Sequence, residues 1–127
     1  IDCVQLHGDE DEGYIARLRH RFDGPIIRAT PVIDRPPGPV SQLADYPLFD
    51  TGGSQRGGSG TAFDWTLLKG VSGPFFLAGG LHQQNVTEAI RLLRPFCVDV
   101  SSGVETGVMK NPDKISQFIE TARRVRE

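Results

Sequence analysis

The stretch that decides the fold is PFFLAGGLHQQNVTEAIRLLRPFCVDVSSG, residues 74–103. Two short apolar runs within it, FFLA and CVDV, are typical of buried strands. Between them, NVTEAIRLLRP has apolar residues at helical spacing and places Asn85 and Glu88 in the positions of a capping box. A strand, a helix and a second strand in this order predict a βαβ unit with parallel strands.

The same alternation continues on both sides of this unit. Upstream, apolar runs predict strands at 3–7, 25–30 and 47–50, with a helix capped by Asp9 or Asp11 after the first. Downstream, Asn111 and Pro112 begin a final amphipathic helix. Between the second and third strands, the proline-rich sequence leaves room only for a short helical piece around Val40–Asp45. Five such units predict an α/β fold, either an open doubly wound sheet or part of a (βα)8 TIM barrel.

Length and composition fit one globular domain. The chain has 127 residues, of which 38% are hydrophobic and 24% charged, and its formal net charge is -2 with both signs scattered along the sequence. No basic region indicates nucleic-acid binding, and no apolar run approaches a membrane span. We therefore expect a single domain over residues 1–127, in the cytoplasm, with no nucleic-acid or membrane partner.

Polar residues and glycines lie near or just beyond the carboxyl end of every predicted strand. They are His7, Arg28, Asp50, Gly79, Gly80, Ser101, Ser102 and Gly103. Parallel strands end at one edge of a sheet, and barrel enzymes have their active sites at that edge. Glycines there let the backbone approach an anion, and Arg28 adds positive charge, so we expect a phosphate site. The alternative for each glycine motif is a tight strand-to-helix turn.

Two carboxylates and a histidine stand out at the same edge. Asp50 ends its strand, where a carboxyl in a partly apolar pocket could act as a general acid or, alternatively, cap a turn. Asp99 alternates with Val98 and Val100, so it is expected to point away from the helices, either toward a ligand or into a structural hydrogen bond. His7 is either a hydrogen-bonded structural residue or part of the site, and it lacks the spacing of a metal ligand.

Taken in chain order, the motifs VQLHGDE, LFDT, GGSG followed by FDW, LAGGL and PFCVDVSSGVE resemble those of phosphoribosylanthranilate isomerase. The resemblance extends over essentially the whole chain. It implies a TIM-barrel enzyme of tryptophan biosynthesis whose substrate is a small phosphorylated molecule. The implied reaction is an Amadori rearrangement of N-(5-phosphoribosyl)anthranilate to 1-(2-carboxyphenylamino)-1-deoxyribulose 5-phosphate, without a cofactor or metal.

The resemblance also implies roles for particular residues. Asp50 matches the general acid that protonates the ribose ring oxygen as the ring opens, and Asp99 matches a residue that orients the substrate. The phosphate-binding elements correspond to Gly79, Gly80, Ser101, Ser102 and Gly103. The glycine-rich sequence after Asp50 matches the loop after the sixth barrel strand, so Gly57, Gly58, Ser59 and Gly60 are expected to belong to a lid and not to a linker.

One departure from the family pattern qualifies these implications. The five units match the fourth to the eighth of the family, whose general base is a cysteine in a KICG-like motif on the first strand. Cys3 is not that residue, because it precedes VQLHG, which belongs to the fourth strand. We therefore expect an incomplete barrel, the C-terminal portion of an isomerase that is a monomer or homodimer at full length, and no activity from this chain alone.

Two other functions fit the sequence. One is a different barrel enzyme that acts on a phosphorylated sugar without recognising the anthranilate ring. The other is a non-catalytic half barrel that binds phosphate or pairs with another chain. Comparing the binding of the isomerase substrate with that of ribose 5-phosphate would separate the first from an isomerase, and the oligomeric state would reveal the second.

Overall fold

Five parallel strands form the main sheet, in the same order as along the chain. They are β1 (Val4–Leu6), β2 (Ile26–Pro31), β3 (Tyr46–Asp50), β4 (Phe76–Ala78) and β5 (Cys97–Val98). The computed structural model describes residues 1–51 and 64–125, and all five predicted strands are confirmed within them. Strand order does not reverse, as it would in a doubly wound sheet, so the sheet is built like a segment of barrel wall.

Three helices accompany the sheet: α1 (Glu12–Arg19), α2 (Val86–Leu93) and α3 (Pro112–Arg124). Two of the predicted caps are confirmed. Asp11 Oδ1 accepts a hydrogen bond of 2.7 Å from Tyr14 N at the start of α1. Asn111 Oδ1 accepts from the first amides of α3, at 2.9 Å from Asp113 N. These side chains satisfy N–H groups that have no partner inside the helix.

The structure differs from the sequence prediction in two short segments. Residues Val40–Asp45 contain no helix. Three prolines precede them, and Ser41 Oγ accepts from Leu43 N and Ala44 N, which favours a turn over a helix. After β5, an unpredicted hairpin of β6 (Glu105–Thr106) and β7 (Met109–Lys110) precedes α3. Its turn contains Gly107 at a φ of 63°, a conformation that suits glycine.

The two faces of the sheet belong to different hydrophobic clusters. On the helix-facing side, Phe49 and Leu77 pack with Val86 of α2 and Phe118 of α3. A second cluster on this side joins Leu6 and Ile26 to Ile15 of α1. The opposite face, called the inner face below, has its own cluster of Ile27, Ala29, Leu48 and Ala78. Because side chains alternate along a strand, this division decides which strand-end residues reach the inner face.

Asp45 joins helix α1 to the beginning of the sheet. Its Oδ2 accepts hydrogen bonds from Ile26 N at 2.7 Å and from Arg19 Nη2 at 2.6 Å. The hydrogen bond from Ile26, followed by the one from the Arg19 guanidinium, holds the pKa of the Asp45 carboxyl below its usual value of 3.8. A lowered pKa in the folded state means that the ionised carboxylate stabilises the fold.

Asp45→Asn tests this stabilisation. The variant should lose about 0.5 kcal/mol of the free energy of unfolding at pH 7, a modest loss because the ion pair is partly exposed. The advantage of the native protein should persist above pH ~4, the usual pKa of an aspartate in an unfolded chain, and disappear as the pH falls through the lower folded pKa. Urea unfolding of both proteins between pH 2.5 and pH 7 measures it. A difference that grows toward acid pH would contradict this role for Asp45.

Candidate active site

Asp50 and His7 meet at the edge where β1 and β3 end. His7 Nε2 lies 3.3 Å from Asp50 Oδ2, and His7 Nδ1 lies 3.0 Å from Gln5 Nε2. With the Gln5 amide as donor, Nδ1 accepts and the Nε2–H group donates to the Asp50 carboxylate. The side chains are 53% and 30% exposed, so the pair is open to a ligand. This hydrogen bond orients the Asp50 carboxylate at the end of β3.

Thr51 fixes the position of Asp50 relative to the next strand. Its side chain is buried, and Oγ1 lies 3.0 Å from Ala78 O and 3.1 Å from Gly79 O. Its backbone N–H also donates to Ala78 O, at 2.9 Å. The end of β3 is therefore bonded to the end of β4 by both backbone and side chain. The sequence showed Thr51 only as a polar residue at a strand end, and its structural role was missed.

The glycine turn after β4 has a backbone that suits glycine. Gly79 and Gly80 have φ values of 91° and 67°, which residues with a Cβ rarely adopt. Asn85 spans this turn: Nδ2 donates to Gly80 O at 2.9 Å, and Oδ1 accepts from His82 N at 2.8 Å. The predicted capping role of Asn85 is wrong, because its side chain makes no capping bond to α2. The Asn85 amide, which can both donate and accept, bridges the glycine turn instead.

The serine–glycine turn after β5 packs directly against the glycine turn. A Cβ atom on Gly103 would lie 1.9 Å from Leu81 O and 3.1 Å from the Cβ of His82. Gly103 therefore allows a close approach of two backbones, while the glycines of the other turn supply unusual dihedral angles. The structure thus brings together two turns that the sequence singled out separately. Their glycines and hydroxyls are Gly79, Gly80, Ser101, Ser102 and Gly103.

Asp99 lies on the face that strand alternation predicts. Val98 and Val100 pack against the helix-side core, whereas Asp99 between them is exposed. Its backbone N–H donates to Leu77 O at 2.8 Å, which extends the pairing of β5 with β4. The carboxylate is therefore held on a paired strand end and is accessible to a ligand.

Arg28 does not join the site. It has the same parity on β2 as Ile26, which packs against α1, so its side chain lies on the helix-facing side of the sheet. There its Nη1 donates to Gly8 O at 2.8 Å and to Glu10 Oε2 at 3.3 Å. The prediction that Arg28 contributes to substrate or phosphate binding is corrected accordingly: it joins the loop after β1 to β2.

The predicted lid falls outside the described residues. The predicted lid residues are Gly57, Gly58, Ser59 and Gly60. The described chain resumes at Asp64, whose Oδ1 accepts from Thr66 N at 3.0 Å and so caps the short 3-10 turn Trp65–Leu68. Hydrogen bonds from the Thr66 hydroxyl and amide hold the pKa of Asp64 below its usual value. Asp64 is therefore the N-cap residue of this turn.

The fold and the site together define a class of protein. The chain is an α/β protein of the TIM-barrel type whose glycine and serine turns meet beside an aspartate–histidine pair at the carboxyl edge of a parallel sheet. Among residues 1–51 and 64–125, no three His, Cys, Asp or Glu side chains are grouped so as to hold a metal ion.

Comparison with known proteins identifies the family. The model of the N-(5'-phosphoribosyl)anthranilate (PRA) isomerase family matches residues 1–121. A relative of that name from Endomicrobium trichonymphae is 51% identical over 97% of this chain and 62% of its own length. The crystal structure of phosphoribosyl anthranilate isomerase from Thermotoga maritima matches with a TM-score of 0.76 at 33% identity, over 98% of this chain and 62% of that one. The chain belongs to the PRA isomerase family, a family of isomerases.

A further solved structure carries a bound ligand. It is phosphoribosyl anthranilate isomerase in complex with reduced 1-(o-carboxyphenylamino)-1-deoxyribulose 5-phosphate. It matches with a TM-score of 0.71 at 30% identity, over 98% of this chain and 60% of that one. The chain thus spans about three fifths of the length of the relatives that it matches. The comparisons do not support the expectations that it is the C-terminal portion of an isomerase or that it is inactive alone.

Gly103→Ala tests the contact between the two turns. The added Cβ has no room beside Leu81 O, so the free energy of unfolding should fall by about 1–3 kcal/mol as the turns separate. Gly70→Ala is the matched control, because nothing lies within 4 Å of its Cβ position, and it should change stability by no more than ~0.5 kcal/mol. Urea unfolding measures both. Equal stability of the two variants would show that the turns are not in close contact.

Asn85→Ala tests the brace across the glycine turn. Losing the amide leaves Gly80 O and His82 N without their partner, which should lower stability by about 1–3 kcal/mol and speed hydrogen exchange at the His82 amide. Gln84→Ala is the control, since within the described residues the Gln84 side chain hydrogen-bonds to the ring of His82, at 2.9 Å. Amide exchange followed by NMR distinguishes them. Unchanged protection of His82 in the Asn85 variant would refute the brace.

Proposed function

We propose that this chain takes part in the isomerisation of N-(5'-phosphoribosyl)anthranilate to 1-(2-carboxyphenylamino)-1-deoxyribulose 5-phosphate, a step of tryptophan biosynthesis. Family membership supports this proposal. The observation that carries it is the position of Asp50, which pairs with His7 and is held beside the glycine turn by Thr51. Ring opening of a phosphorylated sugar needs a proton donor, and binding its phosphate needs anion-binding groups. The residues proposed for both roles lie at one edge of the sheet.

Asp50 acts as the general acid. Opening the ribose ring leaves a negative charge on the ring oxygen unless a proton arrives, and the carboxylic acid form of Asp50 supplies that proton. As the ring carbon–oxygen bond breaks, the lone pair of the anthranilate nitrogen forms a carbon–nitrogen double bond. The Nε2–H of His7 then donates to the new carboxylate, at the 3.3 Å separation of the described pair. His7 is therefore a positioning residue for the acid.

The second stage moves a proton between carbon atoms of the sugar. A base removes the proton from C2, and the resulting enolamine takes up a proton at C1. The C2 hydroxyl loses its proton as the ketone forms, so the two protons lost balance those taken up at the ring oxygen and at C1. In the family pattern this base is a cysteine in a KICG-like motif, and the present sequence has no such motif. The residues assigned in this chain serve the ring opening and the binding of the substrate.

The two turns bind the phosphate group. Backbone N–H groups at glycine turns carry partial positive charge, and serine hydroxyls add donors that suit phosphate oxygens. The residues are Gly79, Gly80, Ser101, Ser102 and Gly103. Asp99, exposed on the adjacent strand end, is placed to accept hydrogen bonds from sugar hydroxyls and so to orient the ring. No cofactor is needed for this chemistry, because the substrate supplies its own electron pair.

The proposed function also bears on the protein's location in the cell and its oligomeric state. None of the described helices has the length and apolar character that crossing a bilayer requires. We place the protein in the cytoplasm, where a biosynthetic step on a small phosphorylated metabolite takes place. We propose that the full-length protein is a monomer or a homodimer.

Asp50→Asn tests the acid. An amide cannot deliver the proton, so turnover of N-(5'-phosphoribosyl)anthranilate should fall on the order of 10²- to 10⁴-fold, while the affinity for the reduced product analogue stays within about threefold. Glu120→Gln is the control: it removes one carboxylate from an exposed pair with Arg124 on helix α3, at a residue with no role in the proposed site, and should leave turnover unchanged. Chromatographic separation of substrate and product measures turnover, and calorimetry measures binding.

Turnover of the Asp50 variant tests the role of this residue, whereas turnover and binding by the native chain test the proposed function. Normal turnover in the Asp50 variant would remove this residue from the mechanism. A native chain that neither converts the substrate nor binds the analogue would refute the proposed function itself.

A further inference from the structure

Lys110 bonds to the serine–glycine turn from the hairpin that follows it. Its Nζ donates to Ser101 O at 2.8 Å, to Ser101 Oγ at 3.0 Å and to Glu105 Oε1 at 2.5 Å. An ammonium group has three N–H donors, and three acceptors of the chain surround this one. Two of them belong to a single residue, Ser101, which is among those assigned to phosphate.

These two bonds fix both polar groups of Ser101. In a trans peptide the carbonyl and the following N–H point in opposite directions, so holding Ser101 O toward Lys110 turns the N–H of Ser102 away from the hairpin. The Ser101 hydroxyl oxygen accepts from Lys110, which leaves its own O–H free to be donated elsewhere. An ammonium neighbour also polarises that hydroxyl and strengthens its donation to an anion.

The hairpin itself is anchored, which gives Lys110 a fixed base. Asn111 N donates to Val104 O at 2.9 Å, and Asn111 Nδ2 donates to Thr106 Oγ1 at 3.0 Å. Glu105 is paired with Lys110, so the positive charge is held in one place by a carboxylate on the opposite strand of the hairpin. Lys110 therefore reaches Ser101 from a braced position, although its side chain is half exposed.

We propose that Lys110 is a positioning residue of the phosphate site, which sets the orientation of Ser101 and of the peptide that follows it. This inference rests on the proposed function, because that function assigns Ser101 and Ser102 to the substrate phosphate. Lys110 acts through Ser101 and is not itself a ligand of the phosphate, since its three donors are occupied by the chain. Lys110 therefore supports binding of the phosphorylated end of the substrate and does not contribute to binding of the anthranilate ring.

The experiment compares two probes on four proteins. The probes are the reduced 1-(o-carboxyphenylamino)-1-deoxyribulose 5-phosphate and the same compound with its phosphate removed. The proteins are the native chain, Lys110→Met, Lys110→Arg and Lys114→Met. Lys114→Met is the matched control, because it removes one positive charge that also contacts Glu105 but does not touch Ser101. Calorimetry gives each dissociation constant, and NMR spectra confirm that every variant is folded.

The expected result is a selective loss. Lys110→Met should weaken binding of the phosphorylated probe about 10- to 100-fold, the range for losing charge-assisted hydrogen bonds, and leave binding of the other probe within about twofold. Lys114→Met should behave as the native chain within about threefold, since an exposed charge contributes little. Lys110→Arg, which keeps the charge and the donors, should recover part of the affinity for the phosphorylated probe.

The alternative outcomes are distinguishable. If the native chain binds both probes equally, the phosphate site of the proposed function is refuted. If the native chain prefers the phosphorylated probe but Lys110→Met and Lys114→Met bind it alike, the positioning role is overturned. Equal loss of both probes in Lys110→Met would also overturn that role, because it would indicate general disruption of the fold.

Discussion

The arrangement of the site depends on the bonds that Thr51 makes to the end of β4. A buried hydroxyl must find a partner, and the carbonyls of Ala78 and Gly79 provide it. These hydrogen bonds of Thr51 constrain two neighbouring segments. They fix Asp50, the residue before Thr51, at the rim of the inner face, and they hold the first glycine of the neighbouring turn. The proposed acid and the proposed phosphate-binding groups are therefore separated by a distance that the sheet itself determines.

From this point a series of contacts continues along the edge. Asn85 spans the glycine turn, Gly103 rests on Leu81 O, and Lys110 holds Ser101. Each contact orients a backbone segment before a ligand arrives, so little ordering is left to occur on binding. Preorganised N–H groups and hydroxyls are most effective when they do not have to rearrange. The two turns proposed to bind phosphate are therefore braced by contacts with the rest of the chain.

Sequence patterns predicted the strands, and the edge and face on which Asp50 and Asp99 lie, because strand order and side-chain alternation are simple periodic features. Asp99 appears on the exposed face for this reason. Arg28 lies near the end of its predicted strand, which suggested a place in the site, but alternation along β2 puts its side chain on the α1 side of the sheet. The roles of Asn85 and Lys110 depend on turns whose paths no local pattern specifies. Their signals, an asparagine six residues after a glycine pair and a lysine beyond Gly107, carry meaning only once the turns are known.

The two parts of the edge differ in how far apart their residues are in the chain. The bonds from Asn85 to Gly80 and from Lys110 to Ser101 join residues five and nine positions apart, whereas His7 and Asp50 are 43 positions apart. Closing a short loop costs less chain entropy than closing a long one. During folding, the turns proposed to bind the anion can thus assemble early and locally, whereas the His7–Asp50 pair forms only when distant strands have met.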